Sequence, residues 1–262
     1  MRQTVIVEEI NRAGAVRVSE LTRQLGVSEM TVRRDLDALA RQGLVAKVHG
    51  GAISLDHGST VEPGFELKLG REQSEKEAIA STAALLVQPG TAVALTAGTT
   101  TWTVALRLTE IPDLTVVTNS IRIAQVMYEH ERPDRTVVLT GGVRTPSDAL
   151  VGPVALSAIR ALHVDLVIMG VHGIDLRAGL TTPNLLECET NRAFVESAKR
   201  FVVAADHTKW GVVGLSEIAP LSAIDVLVTD DRIDGTAREL LEEKIEEIQL
   251  APVATFTDDV GS

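Results

Sequence analysis

From Lys76 onward, short apolar runs alternate with longer stretches of helical spacing, and no other feature restricts the fold so tightly. The runs lie at 91–96, 114–118, 136–139, 164–169, 201–205, 224–228 and 245–250. Helical patterns fill most of the intervals, at 101–108, 121–131, 154–162, 184–199 and 235–243. A strand followed by a crossover helix pairs in parallel with the next strand, and strands apolar on both faces need cover on both. The sequence therefore predicts an α/β domain over 76–250 with a mainly parallel sheet. Sheets of this kind take ligands beyond the carboxyl ends of their strands.

The first 54 residues follow another pattern. Val5, Val7, Ile10 and Ala13 suggest a first helix ending near Gly14, and Leu21 and Leu25 a short second one with Ser19 as N-cap and Gly26 as stop. Gly26-Val27-Ser28 then makes a tight turn into a third helix, about 29–42, with Val32, Leu36 and Leu39 on one side and polar and basic residues on the other. Short β-like runs at 44–48 and 52–54 flank His49-Gly50-Gly51, so a hairpin, or wing, follows. Helix, tight turn, helix and wing make a winged helix-turn-helix. Arg33 and Arg34 suit phosphates and base edges, with Ser28, Glu29, Met30 and Thr31 nearest the groove floor; any single Arg is also compatible with an ordinary solvated face. Asp35 reads as a local partner for an Arg or a helix end.

Charge distribution supports the division. The net charge of −11 argues against a nucleic-acid binder, yet residues 1–53 hold 8 of the 25 Lys and Arg and 6 of the 36 acids, a net of +2 against −13 for the rest. A slightly basic head on an acidic body suits a protein whose head alone approaches DNA. Residues 55–75 lose their period and carry loop and turn composition, which marks a linker, with Phe65 as an anchor on the body and His57 as a loop histidine without metal-ligand spacing. Residues 251–262 have no period and are expected to be a disordered tail, and the acidic stretch 239–247 reads as solvated charge. The start lacks the apolar run of a signal peptide, no stretch approaches the roughly 18 apolar residues of a membrane span, and Cys188, the single cysteine, forms no internal disulfide. These features predict a cytoplasmic protein.

The strand ends of the body carry its informative residues. Thr96-Ala97-Gly98-Thr99-Thr100-Thr101 joins a strand to a helix, where backbone N–H groups, a Gly and hydroxyls can cradle an anion or make a plain N-cap turn. Thr118-Asn119-Ser120, Thr140-Gly141-Gly142, Gly170-Val171-His172-Gly173 and Ala205-Asp206-His207-Thr208-Lys209 follow at later strand ends. Asn119 suits a ligand hydroxyl or a helix cap, and His172 either donates to a ligand or lies in its loop.

Ser19-Glu20-Leu21, Gly26-Val27-Ser28, Thr31-Val32-Arg33-Arg34-Asp35-Leu36 and His49-Gly50-Gly51-Ala52 together resemble the DNA-binding domain of the DeoR family of bacterial transcriptional regulators. The junctions of the body, in their order, resemble the effector-sensing domain of the same family. The resemblance implies a fold similar to ribose-5-phosphate isomerase and the CoA transferases, and an effector that is a phosphorylated sugar or related metabolite. It implies that double-stranded operator DNA meets Ser28, Glu29, Met30, Thr31, Arg33 and Arg34 with Lys47, His49 and Gly50 of the wing; Lys47 stands where the family more often has Arg. Gly98, Thr99 and Thr100 hold the phosphate on this reading, and Asn119, Gly141, Gly142, His172, Asp206 and Lys209 line the remainder. Thr96 stands where many members have Asp. Neither cofactor nor metal is implied, and two half-sites call for a homo-oligomer, a dimer or tetramer.

A competing reading makes the body a sugar-phosphate isomerase. Such an enzyme needs a positioned carboxylate base. The similar isomerases carry an acidic run after the fourth strand and a Lys before a glycine-rich loop; the corresponding 169–173 and 180–183 here lack both. Glu187 and Glu189 lie nearby and are expected to order the site or face solvent, and Cys188 between them reads as a core cysteine.

Overall fold

The structure is a computed structural model that describes residues 2–13, 15–41, 45–48, 50–54 and 65–254. These pack as two units, a head of described residues up to 54 with Glu66–Arg71, and a body of Phe65 and the described residues from Glu72 on.

In the head, α1 (Arg2–Ala13) leads into β1 (Ala15–Arg17), α2 (Val18–Leu25) and α3 (Glu29–Arg41), then β2 (Val45–Val48) and β3 (Gly51–Ser54). Ile6, Ile10, Leu21, Val32, Leu36 and Leu39, each at most 1% exposed, form its core. Each such side chain contributes about 1.5–3 kcal/mol on leaving water. Gly26 closes α2 with a left-handed φ of 65°, and its N–H bonds the Thr22 carbonyl. Arg17, not Ser19, occupies the N-cap of α2, where the Glu20 carboxylate accepts the Arg17 N–H at 3.1 Å. The displacement comes from β1, absent from the sequence reading, which pairs antiparallel with β3 and brings the chain straight from strand to helix. The sheet order β1-β3-β2 fixes Gly51: a Cβ there would stand 2.1 Å from the Val16 carbonyl oxygen. Residues 42–44, His49 and the linker stretch 55–64 with His57 lie outside the described residues.

Next comes α4 (Phe65–Leu69), which belongs to the head except for Phe65, and the body continues with α5 (Gln73–Ala84), β4 (Ala92–Leu95), α6 (Thr99–Leu108), β5 (Thr115–Thr118), α7 (Ile121–Glu129) and β6 (Thr136–Leu139). A small hairpin, β7 (Val143–Arg144) and β8 (Leu150–Val151), precedes α8 (Pro153–Arg160) and β9 (Val164–Met169). Then come β10 (Gly173–Asp175), β11 (Gly179–Thr182), α9 (Leu185–Ser197), β12 (Ala198–Ala204), a 3₁₀ turn at His207–Lys209, β13 (Ser216–Ala219), a second 3₁₀ turn at Leu221–Ala223, β14 (Val226–Asp230), α10 (Gly235–Glu242) and β15 (Glu247–Ala251). Helices therefore occupy part of the stretch read as aperiodic linker, the acidic stretch 239–247 divides between α10 and β15, and the tail from 255 lies outside the described residues.

Seven strands form one parallel sheet in the order β15-β14-β12-β9-β4-β5-β6. All seven coincide with the predicted runs to within a few residues. One face packs on α5, α6 and α7 through residues such as Ile79, Val104 and Met127; the other packs on α8, α9 and α10 through Ile159, Phe194 and Leu241. The short strands β10, β11 and β13 form a separate antiparallel sheet that periodicity did not reveal. From β4 the chain winds outward through β5 and β6, then returns to β9 on the other side of β4. The strand order thus reverses between β4 and β9, the point at which an open parallel sheet leaves a crevice. No helix among the described residues is long and apolar enough to cross a membrane.

Candidate functional site

The head exposes one face of α3. Val32, Leu36 and Leu39 are buried, whereas Ser28, Glu29, Met30, Arg33 and Arg34 are exposed and Thr31 is half-buried. Ser28 caps the helix, its Oγ accepting the Thr31 N–H at 3.3 Å and lying 2.9 Å from Thr31 Oγ1. Met30, in the first turn, is 75% exposed. Arg33 lies 3.5 Å from Glu29, an i,i+4 pair too exposed to hold it firmly, and Arg34 has no partner among the described residues. Lys47 on β2 pairs with Asp37 of α3 at 2.5 Å, which draws the Asp37 carboxyl below its ordinary value and tethers the wing. Gly50 is exposed with φ 81°. Asp35 turns inward, where Arg2 (Nη2 at 3.1 Å) and Gln3 (3.2 Å) donate to it; the Arg2 bond lowers its carboxyl pKa despite burial. It is the local partner the sequence suggested, but for Arg2 rather than the neighbouring arginines.

In the body, the carboxyl ends of β4, β9 and β12 collect most of the predicted ligand residues. Gly98 is the N-cap of α6, which starts at Thr99, two residues earlier than its spacing indicated. Thr101 and Thr103 spend their hydroxyls on the carbonyls of Gly98 and Thr99, at 3.1 and 2.9 Å. The first helical bond is Trp102 N–H to Gly98 O, so the Thr99, Thr100 and Thr101 N–H groups have no acceptor among the described residues. Free N–H groups at a helix start favour an anion.

Asp206 follows β12 and is 2% exposed. Its Oδ1 accepts the Thr208 N–H at 3.1 Å and the Thr208 hydroxyl; Oδ2 has no hydrogen bond among the described residues, and Lys209 Nζ stands 3.6 Å away. Burial pushes this carboxyl up, but Lys209, Thr208 and Lys76 together outweigh it and hold the pKa below its ordinary value, so Asp206 is ionised at neutral pH. Asp230, fully buried at the end of β14, accepts the His207 N–H at 2.7 Å and the Arg232 N–H at 3.1 Å, and lies 2.9 Å from His207 Nδ1. It fixes the turn that presents Asp206 and Lys209. Glu75 of α5, 1% exposed, pairs with Arg232 and accepts from Ser74 at 2.9 Å.

The remaining predicted residues lie elsewhere on the edge. Asn119 is 1% exposed and neither caps α7, a task its neighbour Ser120 performs, nor leaves its amide idle: Oδ1 accepts the Ala97 N–H at 2.9 Å and Nδ2 donates to the Leu150 carbonyl at 3.1 Å. It pegs the Ala97–Gly98 loop to the β7–β8 hairpin. Gly141 and Gly142 follow β6 beside a shallow groove lined by Thr140, Pro153, Val154, Ser157 and Ala158. Gly142 has φ 125°, and a Cβ there would meet the Val151 carbonyl oxygen at 2.5 Å. His172 is half-buried between β9 and β10. Glu187 is buried and accepts Thr145 Oγ1 at 2.6 Å and the Ser147 hydroxyl, while Glu189 is exposed. Cys188 is 1% exposed and donates to the Glu217 carbonyl. No cluster of three metal-ligating side chains occurs among the described residues.

Sequence reasoning passed over Lys76, whose charge reaches Asp206, and Asp230. A signal for Lys76 existed: it is spaced i, i+3, i+4, i+7 with Ile79, Ala80 and Ala83, the buried face of α5. No local pattern marks Asp230, whose His207 partner is over twenty residues distant.

Comparison with known proteins divides the chain at the same two regions. Residues 2–57 match the DeoR-like helix-turn-helix domain, and residues 71–231 the DeoR C terminal sensor domain. The HTH-type transcriptional regulator GolR of Listeria innocua is 36% identical over 89% of this chain and 91% of its own. The glycerol-3-phosphate regulon repressor of Escherichia coli is 32% identical over 87% of this chain and 90% of its own. Among solved structures, ribose 5-phosphate isomerase A from Methanocaldococcus jannaschii is similar at a TM-score of 0.39 and 16% identity, over 54% of this chain and 55% of that one.

Proposed function

The chain belongs to the DeoR family of DNA-binding transcriptional regulators, and from that premise we propose that it represses carbohydrate-metabolism genes and leaves its operator when a phosphorylated sugar or related metabolite fills the body. The observation that carries this reading is the pairing of a capped helix with an outward basic face and a crevice whose N–H groups and buried carboxylate await a ligand. In the head, residues 1–54, Ser28, Glu29, Met30, Thr31, Arg33 and Arg34 meet operator DNA, with Lys47, His49 and Gly50 from the wing. In the body, residues 76–250, the N–H groups of Gly98, Thr99 and Thr100 take the phosphate; Asp206 accepts from sugar hydroxyls and Lys209 supplies counter-charge. Asn119, Gly141, Gly142 and His172 shape the edge.

The protein acts in the cytoplasm as a homo-oligomer, dimer or tetramer, since one head makes too few contacts for a selective site. Effector controls it only by preferring one arrangement of heads. On this reading the body turns over no substrate: Glu187, close in sequence to the 180–183 stretch, is engaged by Thr145 and Ser147. The test is a titration of operator DNA with the full chain in the presence and absence of phosphorylated sugars. Release by one of them is expected, and turnover of that compound would overturn the reading in favour of an enzyme.

A further inference from the structure

The effector reading leaves one polar group of the body without a task. Thr96 follows β4 directly and is 1% exposed, and its Oγ1 has no hydrogen-bond partner among the described residues. A buried hydroxyl in that state destabilises the fold, and Val in its place would fill the same volume without the penalty. Among the described residues the body has two buried side-chain oxygens that lack a hydrogen bond, Thr96 Oγ1 and Asp206 Oδ2. Both stand just past the carboxyl ends of strands that flank β9. Thr96 N–H bonds the Ile168 carbonyl across the β4–β9 boundary, where the strand order reverses and the crevice opens. Gly170 follows β9 there: a Cβ on it would lie 3.7 Å from Thr101 Cγ2 and 3.9 Å from the Ala204 carbonyl oxygen, so the first turn of α6 and the end of β12 both come within a side chain's reach.

The chemistry of the two oxygens limits the occupant. Ionised Asp206 only accepts hydrogen bonds, so it needs a donor and repels a phosphate oxygen. The Thr96 hydroxyl donates and accepts, which suits a ligand hydroxyl. The anion is left to the N–H groups of α6. We infer that Thr96 is a specificity-determining contact whose hydroxyl bonds a hydroxyl on the effector's carbon chain, beside a phosphate held at the start of α6. This inference rests on the effector reading above and gives a task within it to Thr96, which the sequence placed at the junction without a role.

The test compares melting of full-length wild type, Thr96→Val and Thr96→Ser, alone and with inorganic phosphate, glycerol 3-phosphate, ribose 5-phosphate or fructose 1-phosphate. Thr96→Val, relieved of an unsatisfied hydroxyl, is expected to melt about 2–4 °C above wild type without ligand. It is expected to bind the stabilising sugar phosphate at least about tenfold more weakly, the loss of one good hydrogen bond, while its response to inorganic phosphate stays that of wild type. Thr96→Ser is expected to retain the sugar-phosphate response. A Thr96→Val protein that melts below wild type, or that keeps wild-type affinity for the sugar phosphate, overturns the inference and leaves the effector reading standing. A wild type that none of the phosphorylated compounds stabilises overturns the effector reading itself, and the inference falls with it.

Discussion

Arg34 on α3 and Asp206 beyond β12 are both charged groups without a full set of partners among the described residues, but the first stands in solvent and the second is 2% exposed. Around Arg34 the head has buried its apolar face and left its polar face to water, so the functional surface costs the fold little. Around Asp206 the body holds a carboxylate, two lysines and an unbonded hydroxyl in a low-dielectric edge, where each must be balanced or left unsatisfied. Recognition in the head is thus separable from stability, whereas in the body the two are coupled.

The sharpest way to break that contrast is to attack the head from inside. Leu36→Ala removes a fully buried side chain from a small core and is expected to destabilise the head by about 2–5 kcal/mol, abolishing DNA binding, while calorimetry still resolves the ligand-induced shift of the body. Loss of that shift would show the units to be less independent than their separate cores imply.

On the outer face the expectation reverses. Arg33→Ala with Arg34→Ala is expected to leave melting within about 0.5 kcal/mol of wild type, as surface changes do. It should nonetheless flatten the salt dependence of DNA binding by about two units of slope per head. Wild-type affinity at physiological salt in this double variant would misplace the reading helix.

A third change addresses the body. Glu187→Ala leaves the Thr145 and Ser147 hydroxyls buried around a missing acceptor and is expected to cost about 1–3 kcal/mol. Glu187→Gln keeps one acceptor oxygen and should restore most of that stability. A Glu187→Gln protein as unstable as Glu187→Ala would mean that the charge, not the acceptor, orders the 145–147 turn.

The smallest effect concerns acid. Asp35 has a folded pKa depressed by Arg2, so its contribution is complete above the unfolded value, near 3.9, and disappears as pH falls through the lower folded value. Asp35→Asn is therefore expected to flatten the acid limb of the head's melting curve below about pH 4 and to leave the curve's shape near neutrality unchanged. A variant as acid-sensitive as wild type would assign the limb to other carboxylates.

The same contrast explains what could be read in the chain. The α3 face was legible because one helix carries all of it at fixed spacing, from Val32 to Leu39. The seven strands of the body were legible because each holds a short apolar run between stretches of helical spacing or turn signals. Their order was not, since pairing of Val93 with Leu166, 73 residues further along the chain, is decided by packing. The short strands β1, β8 and β11 were not legible, since Ala-Val-Arg, Leu-Val and Gly-Leu-Thr-Thr make no apolar run of their own. In the crevice, the Gly98–Thr100 loop announced itself by composition, but the idle oxygen of Thr96 is a fact about missing neighbours that no local pattern encodes.

The Thr96 N–H bond to Ile168 also sets a schedule. The loop that offers N–H groups to an anion cannot take its final form until residue 168 has left the ribosome, whereas the head's last strand ends at Ser54. At about 5–20 residues per second, translation of the intervening stretch takes roughly 6–23 s. For that interval a nascent chain carries a finished reading head and no organ with which to sense anything.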